Sequence, residues 1–219
     1  MSTKAANYSD VIQQLPPGST LVLQRIAWDE YEAALAAAGE NTGFRLSYDQ
    51  GTLQIMTISP EHESYTDLIQ NLVRLCTLRL RIKLRSFGSA TMKKIQAAKG
   101  SEPDCCFYVQ GASLIGNRKH VDFAVDPPPD IVVEVDISHD STSKFPIYAA
   151  FGVPEIWRYD GKALTIYHLR ENEFVAASAS LALPVLTTDV LTEFVNRTQD
   201  EDENSVLLAF EEWLQAHKP

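Results

Sequence analysis

The sequence predicts an α/β domain built on a central mixed β-sheet flanked by helices, and three stretches carry that prediction. Residues 129–157, PDIVVEVDISHDSTSKFPIYAAFGVPEIW, read as strand, short helix, strand. Ile131, Val132, Val133 and Val135 make a buried-strand run after the break at Pro127, Pro128 and Pro129. Gly152 ends the helix, Pro154 stops it, and residues 155–159 resume an extended pattern. In residues 59–80, Ser59 is a helix cap and Pro60 suits the first helical position. Tyr65, Leu68, Ile69, Leu72, Val73, Cys76 and Leu80 then recur at helical spacing. The third stretch is a hairpin signal, with residues 44–48 and 52–56 flanking Asp49-Gln50-Gly51.

The other elements follow in order. Residues 1–19 are polar and proline-punctuated, and an arm is expected over 1–24. Residues 28–38 are alanine-rich and helical, and Gly39 ends them. Short strand pieces are expected at 82–87 and 90–95 around Gly88. A further strand at 105–109 has Asp104 at its head. Residues 111–123 read as loop with a helical turn and carry His120. Strands are expected at 164–169 and 173–177, and a helical tail at 187–217, broken by Asp200-Glu201-Asp202-Glu203. The expected organisation is one domain over 25–180, with a C-terminal helical extension over 181–219 packed on it.

Composition bounds the function. With 219 residues, 45% of them hydrophobic and 22% charged, the chain can bury a substantial core. No apolar run reaches the ~18 residues of a membrane span, and no signal peptide is expected. Cys76, Cys105 and Cys106 have neither zinc-site spacing nor a disulfide-framework count. A reduced, cytoplasmic protein without a membrane partner is expected. The net charge of -10 opposes indiscriminate binding of a polyanion unless positive charge is concentrated locally. Arg74, Arg79, Arg81, Lys83 and Arg85, with Lys93, Lys94, Lys99, Arg118 and Lys119, supply either such a stripe or a solvated helix face.

The chemistry gathers on the central unit. Side chains alternate along a strand, so Asp130, Val132, Glu134 and Asp136 share a face. An acid there is expensive to bury without a positive partner, and Lys144 follows in the first turn of the helix. Asp104 and Glu134 on neighbouring strands, with a lysine, suit a divalent-metal phosphodiesterase: Mg²⁺ takes hard oxygen ligands and keeps positions for water and phosphate. On the residues alone, a turn or capping role accounts for Asp104 equally, and a structural arginine partner for Glu134. His62 and Glu61 stand in the first turn of their helix, where a helix-end hydrogen bond or the helix dipole also explains them.

Pro103-Asp104 followed by Glu134-Val135-Asp136 resembles the PD-(D/E)XK nuclease superfamily. More narrowly, SPEHE at 59–63, EPDCCFYV at 102–109 and the 129–157 stretch resemble the Uma-type (Uma-two) family of restriction-type endonucleases, over residues 25–170. The resemblance implies a three-layer restriction-endonuclease-like fold, Mg²⁺ (replaceable by Mn²⁺) held by Asp104 and Glu134, DNA as substrate, and a homodimer. His62 matches the family's helix histidine at the site.

The chain departs from the superfamily pattern at its motif lysine, where Asp136 stands. In the Uma-type pattern the lysine is displaced onto the following helix, which makes Lys144 the candidate. Near the early hairpin, where a family acid is expected, Arg45 and Gln54 stand instead. The expected activity is Mg²⁺-dependent endonucleolytic cleavage of DNA, with Asp104, Glu134, Lys144 and His62 at the catalytic site. The alternatives are a catalytically silent nuclease-fold module that binds DNA, or a structural homodimer without nucleic acid. Lys144 is expected on the Glu134 side of the sheet, within direct or one-water reach, and Lys144→Ala is expected to spare the fold.

Overall fold

The computed structural model describes residues 14–39 and 43–217. In chain order its elements are β1 (Thr20–Gln24), α1 (Trp28–Ala38), β2 (Phe44–Asp49), β3 (Thr52–Thr57), α2 (Pro60–Leu80), β4 (Arg85–Gly88), β5 (Met92–Lys94) and β6 (Lys99–Ser101). Then come β7 (Cys105–Tyr108), α3 (Ala112–Ile115), β8 (Ile131–Val135), α4 (Phe145–Phe151), β9 (Glu155–Tyr159), β10 (Leu164–Arg170), β11 (Glu173–Ala177), α5 (Thr188–Arg197) and α6 (Glu203–Ala216). A 3₁₀ turn, Thr142–Lys144, leads directly into α4.

The strands form two sheets rather than one. The six-stranded sheet runs β11-β10-β9-β8-β7-β4 and is mixed, because β8 and β9 pair in parallel across the α4 crossover. The five-stranded sheet runs β1-β3-β2-β6-β5 with antiparallel pairing throughout. Two expectations are corrected here. Thr20–Gln24, assigned to the arm, is an edge strand in register with β3; residues 1–13 of that arm lie outside the described residues. The pieces expected on either side of Gly88 are β4 and β5, which belong to different sheets, and β6 was not anticipated. Strands of three or four residues carry too few alternating positions to announce their partners.

Local signals otherwise set the elements. Gln50 and Gly51 both take positive φ (46° and 97°), as a two-residue hairpin loop requires between β2 and β3. The Ser59 side chain accepts from the His62 N–H at the start of α2, which Pro60 opens. Leu68, Ile69, Leu72, Val73 and Cys76 of α2 pack on Ile131, Val133 and Val135 of β8. Leu191, Phe194, Phe210 and Leu214 of α5 and α6 join the same core, so the C-terminal helices are built into the main hydrophobic cluster. Cys76, Cys105 and Cys106 are buried thiols. Among the described residues no helix is long and apolar enough to cross a membrane.

Candidate active site

The chain passes from the five-stranded sheet to the six-stranded one through Glu102-Pro103-Asp104, between β6 and β7. The β7–β8 register pairs Cys105 with Val133. One further step sets Asp104 across from Glu134, and directly opposed residues of an antiparallel pair share a face. Both acids are sealed from solvent, Asp104 at 2% and Glu134 at 0% exposure. The Val135 N–H donates to Asp104 Oδ2 at 2.7 Å, fixing that carboxylate to β8.

Two donors meet Glu134. Lys144 Nζ, itself only 3% exposed, donates to Oε2 at 2.8 Å, and the Tyr148 hydroxyl donates to Oε1. Tyr148 in turn shares a 3.0 Å hydrogen bond with Ser101 Oγ of β6, so α4 ties the second sheet to the acid. Burial pushes the Glu134 carboxyl up to about 7 against the pull of Lys144. Burial also acts to lower the Lys144 ammonium, but Glu134 and Asp104 outweigh it and hold its pKa above the ordinary lysine value. Burial drives the Tyr148 phenol far up, which keeps its proton available for donation.

His62 Nε2 lies 2.9 Å from Asp104 Oδ2, outside aligned hydrogen-bond geometry. Burial alone would lower the His62 pKa; the Asp104 carboxylate outweighs it and raises it. Asp104 is correspondingly held below its ordinary range: its burial is overcome by His62 and Lys144. The structure therefore brings His62, Asp104, Glu134 and Lys144 into one buried group.

Neighbouring residues close the group. Arg45 of β2 reaches Glu63 beside His62 (3.5 Å), and Gln54 of β3 accepts from Ser143 beside Lys144 (3.2 Å). Asp130, on the same strand face as Glu134, instead accepts from the Val109 and Gly111 N–H groups and shapes their turn. A cavity of about 490 Å³ lined by Phe44, Arg45, Phe87, Glu102, Lys119 and Phe123 lies beside this region, and none of the four site residues lines it. Two residues without a place in any sequence motif, Tyr148 and His139, also stand at the group. His139 lies with its ring 6.1 Å from that of His62 and its Nε2 3.9 Å from Asp136 Oδ1. A lone tyrosine or histidine at those spacings carries no motif, so only the fold could find them.

The donor set fits a hard divalent cation. Asp104 Oδ1 is buried without a hydrogen-bond partner, an acceptor position left over for a ligand. Both Glu134 oxygens already have donors, so a cation there would share them with Lys144 and Tyr148. Among the described residues no three His, Cys, Asp or Glu side chains converge as a ready-made metal cage, which leaves the other coordination positions to backbone or water.

Among the described residues, four of the ten basic residues of the two clusters are paired with acids. Arg79 pairs with Glu211, Lys93 with Glu32, Lys99 with Asp49 and Arg118 with Asp126.

Among curated proteins there is no match. A crystal structure titled as "a putative nuclease belonging to DUF820 from Anabaena variabilis ATCC 29413" superposes with a TM-score of 0.51 and 16% identity, covering 78% of this chain and 99% of that one. At that identity the likeness establishes the fold, which is restriction-endonuclease-like. The Uma2 family model, described as "Putative restriction endonuclease", matches residues 28–195. That span takes in the six-stranded sheet, the five-stranded sheet apart from β1, and every residue of the buried group, and the chain belongs to the Uma2 family.

Proposed function

We propose that this protein is a divalent-metal-dependent endodeoxyribonuclease that hydrolyses phosphodiester bonds as a homodimer. The observation that carries the reading is the Lys144 ammonium on Glu134, next to an Asp104 carboxylate with one oxygen unpartnered. Mg²⁺, or Mn²⁺ in its place, would be held by Asp104 and Glu134 and would supply Lewis-acid polarisation of a phosphate oxygen. Lys144 keeps its charge at neutral pH and orients the attacking water while stabilising negative charge that grows on the phosphate. His62 approaches the Asp104 carboxylate from the helix side and favours its charged form. Tyr148 and Val135 N–H hold the two acids in place, so little reorganisation is needed during reaction. Two symmetric copies are the simplest way to cut both strands of a duplex.

The test is conversion of supercoiled plasmid with Mg²⁺ or Mn²⁺, with a chelator, and with Asp104→Ala. Metal-dependent nicking or linearisation that Asp104→Ala abolishes is expected; no cleavage with either metal, or cleavage that survives chelation, overturns the reading.

One observation favours a second reading, a catalytically silent module that binds DNA. The acids are closed off from solvent and both Glu134 oxygens are engaged within the protein. Retention on a DNA column at low salt without any cleavage would select this reading.

A further inference from the structure

The geometry points to Asp136 as the positioning residue of the site: paired with Arg158, it folds the 138–143 turn back onto the end of β8 and so sets Lys144 on Glu134. The consequence for cleavage rests on the nuclease reading; the positioning itself does not.

Asp136 is the residue that stands at the motif-lysine position, one step beyond β8 and on the Glu134 face. Its backbone N–H donates to Tyr159 O at 2.7 Å, so the main chain there is still held to β9. Its Oδ2 accepts three donors: Ser141 N–H at 2.9 Å, Ser141 Oγ–H at 3.1 Å and Arg158 Nε–H at 2.5 Å. The Ser141 bonds close the loop from Asp136 to Ser141 and reverse the chain. Ser141 O then accepts from Lys144 N–H at 2.8 Å, opening the 3₁₀ turn that ends at Lys144. Asp140 Oδ1 accepts from Thr142 N–H at 2.7 Å and stiffens the same reversal. Each link from Asp136 to Lys144 is therefore a hydrogen bond, and the chain of links ends at the lysine that meets Glu134.

Arg158 explains why the acid stands there. It sits on β9 opposite Glu134 in the parallel register, and its guanidinium reaches Asp136 and, at 3.5 Å, Asp140. A lysine at position 136 would face that guanidinium and repel it. An aspartate there neutralises Arg158 and caps the turn. The positive charge the site needs is then delivered from the helix. Asp136 Oδ1 has no hydrogen bond, with only His139 Nε2 at 3.9 Å, and with three donors on Oδ2 the carboxylate serves the turn first.

Acylation of lysine amines, read residue by residue with mass spectrometry on the full-length chain, tests the proposal without requiring any cleavage. Lys144 is 3% exposed and Lys93 is 47%, so Lys144 in the unaltered protein should react at least ~10-fold more slowly, through local opening. Asp136→Ala should accelerate Lys144 about 5-fold or more while Lys93 and Lys162 keep their rates, the pattern of local rather than global opening. Asp136→Asn, which keeps an acceptor for Ser141 but loses the charge on Arg158, should fall between. Should Asp136→Ala not fold, Ser141→Ala and Arg158→Gln each cut one link and should give the same Lys144-specific acceleration. Folded variants in which Lys144 stays protected overturn the proposal, as does acceleration of all lysines together. If the unaltered protein cleaves DNA, Asp136→Asn should lower kcat about 10-fold with KM within about 2-fold, since the loss falls on transition-state charge. Failure of all cleavage would sink the nuclease reading and leave the labelling result standing.

Discussion

Lys144 Nζ stands 2.8 Å from Glu134 Oε2, with both side chains buried and a chain reversal between them. Removing one member of a buried ion pair strands the other, typically at about 3–5 kcal/mol. Lys144→Met should therefore lower the urea midpoint substantially. Adding Glu134→Gln should recover part of the loss, and a double-mutant cycle would read the coupling. Strictly additive single losses would contradict the pairing.

Cleavage should respond more sharply than stability. Loss of one electrostatic stabiliser typically removes ~100-fold or more from the rate. Lys144→Ala, assayed where it remains folded, should show that scale of loss in kcat. Lys144→Arg should rescue poorly, because a planar guanidinium does not occupy the space of a compact ammonium.

Metal affinity should depend on pH through Glu134. Its folded-state pKa of about 7 means a cation must displace a proton below that value. Mn²⁺ binding measured by calorimetry should weaken about 10-fold per pH unit below 7, with proton uptake into buffer, and should vanish in Asp104→Ala plus Glu134→Ala. The sign for the metal-free protein is opposite to that of an ordinary salt-bridged acid. A carboxyl whose pKa is raised on folding binds more protons folded than unfolded, so its contribution to stability falls as pH rises from the ordinary glutamate range through about 7. Glu134→Gln should flatten that slope in chemical denaturation, and saturating Mn²⁺ should raise the melting temperature.

The C-terminal helices are structural members of the domain. Phe210 of α6 is fully buried, with its ring 4.9 Å from that of Phe194. Phe210→Ala should cost about 3–5 kcal/mol. A change below ~1 kcal/mol in urea denaturation would show that α6 is a detachable appendage.

Association follows from the proposed two-strand cleavage. Light scattering at micromolar concentration should return about twice the 24.4 kDa chain mass. A clean monomer would count against it.

The sequence by itself determined the strand–helix–strand unit, the α2 cap, the β2–β3 hairpin and the acids of the site. Each of these is written in neighbouring residues: alternation on β8, helical spacing after Ser59, positive-φ turn residues at Gln50 and Gly51. Lys144 stood near the two acids in the sequence, but its ten-residue distance from Glu134 gives no geometry until the Asp136–Ser141 reversal is known. The tertiary structure alone decided that the strands split into two sheets. It also decided that Thr20–Gln24 is an edge strand, and that Tyr148 reaches Glu134 from α4. Those outcomes depend on contacts between residues far apart in the chain. Short strands and single polar side chains acquire partners only when the whole core closes, because burial makes an unpaired polar group costly.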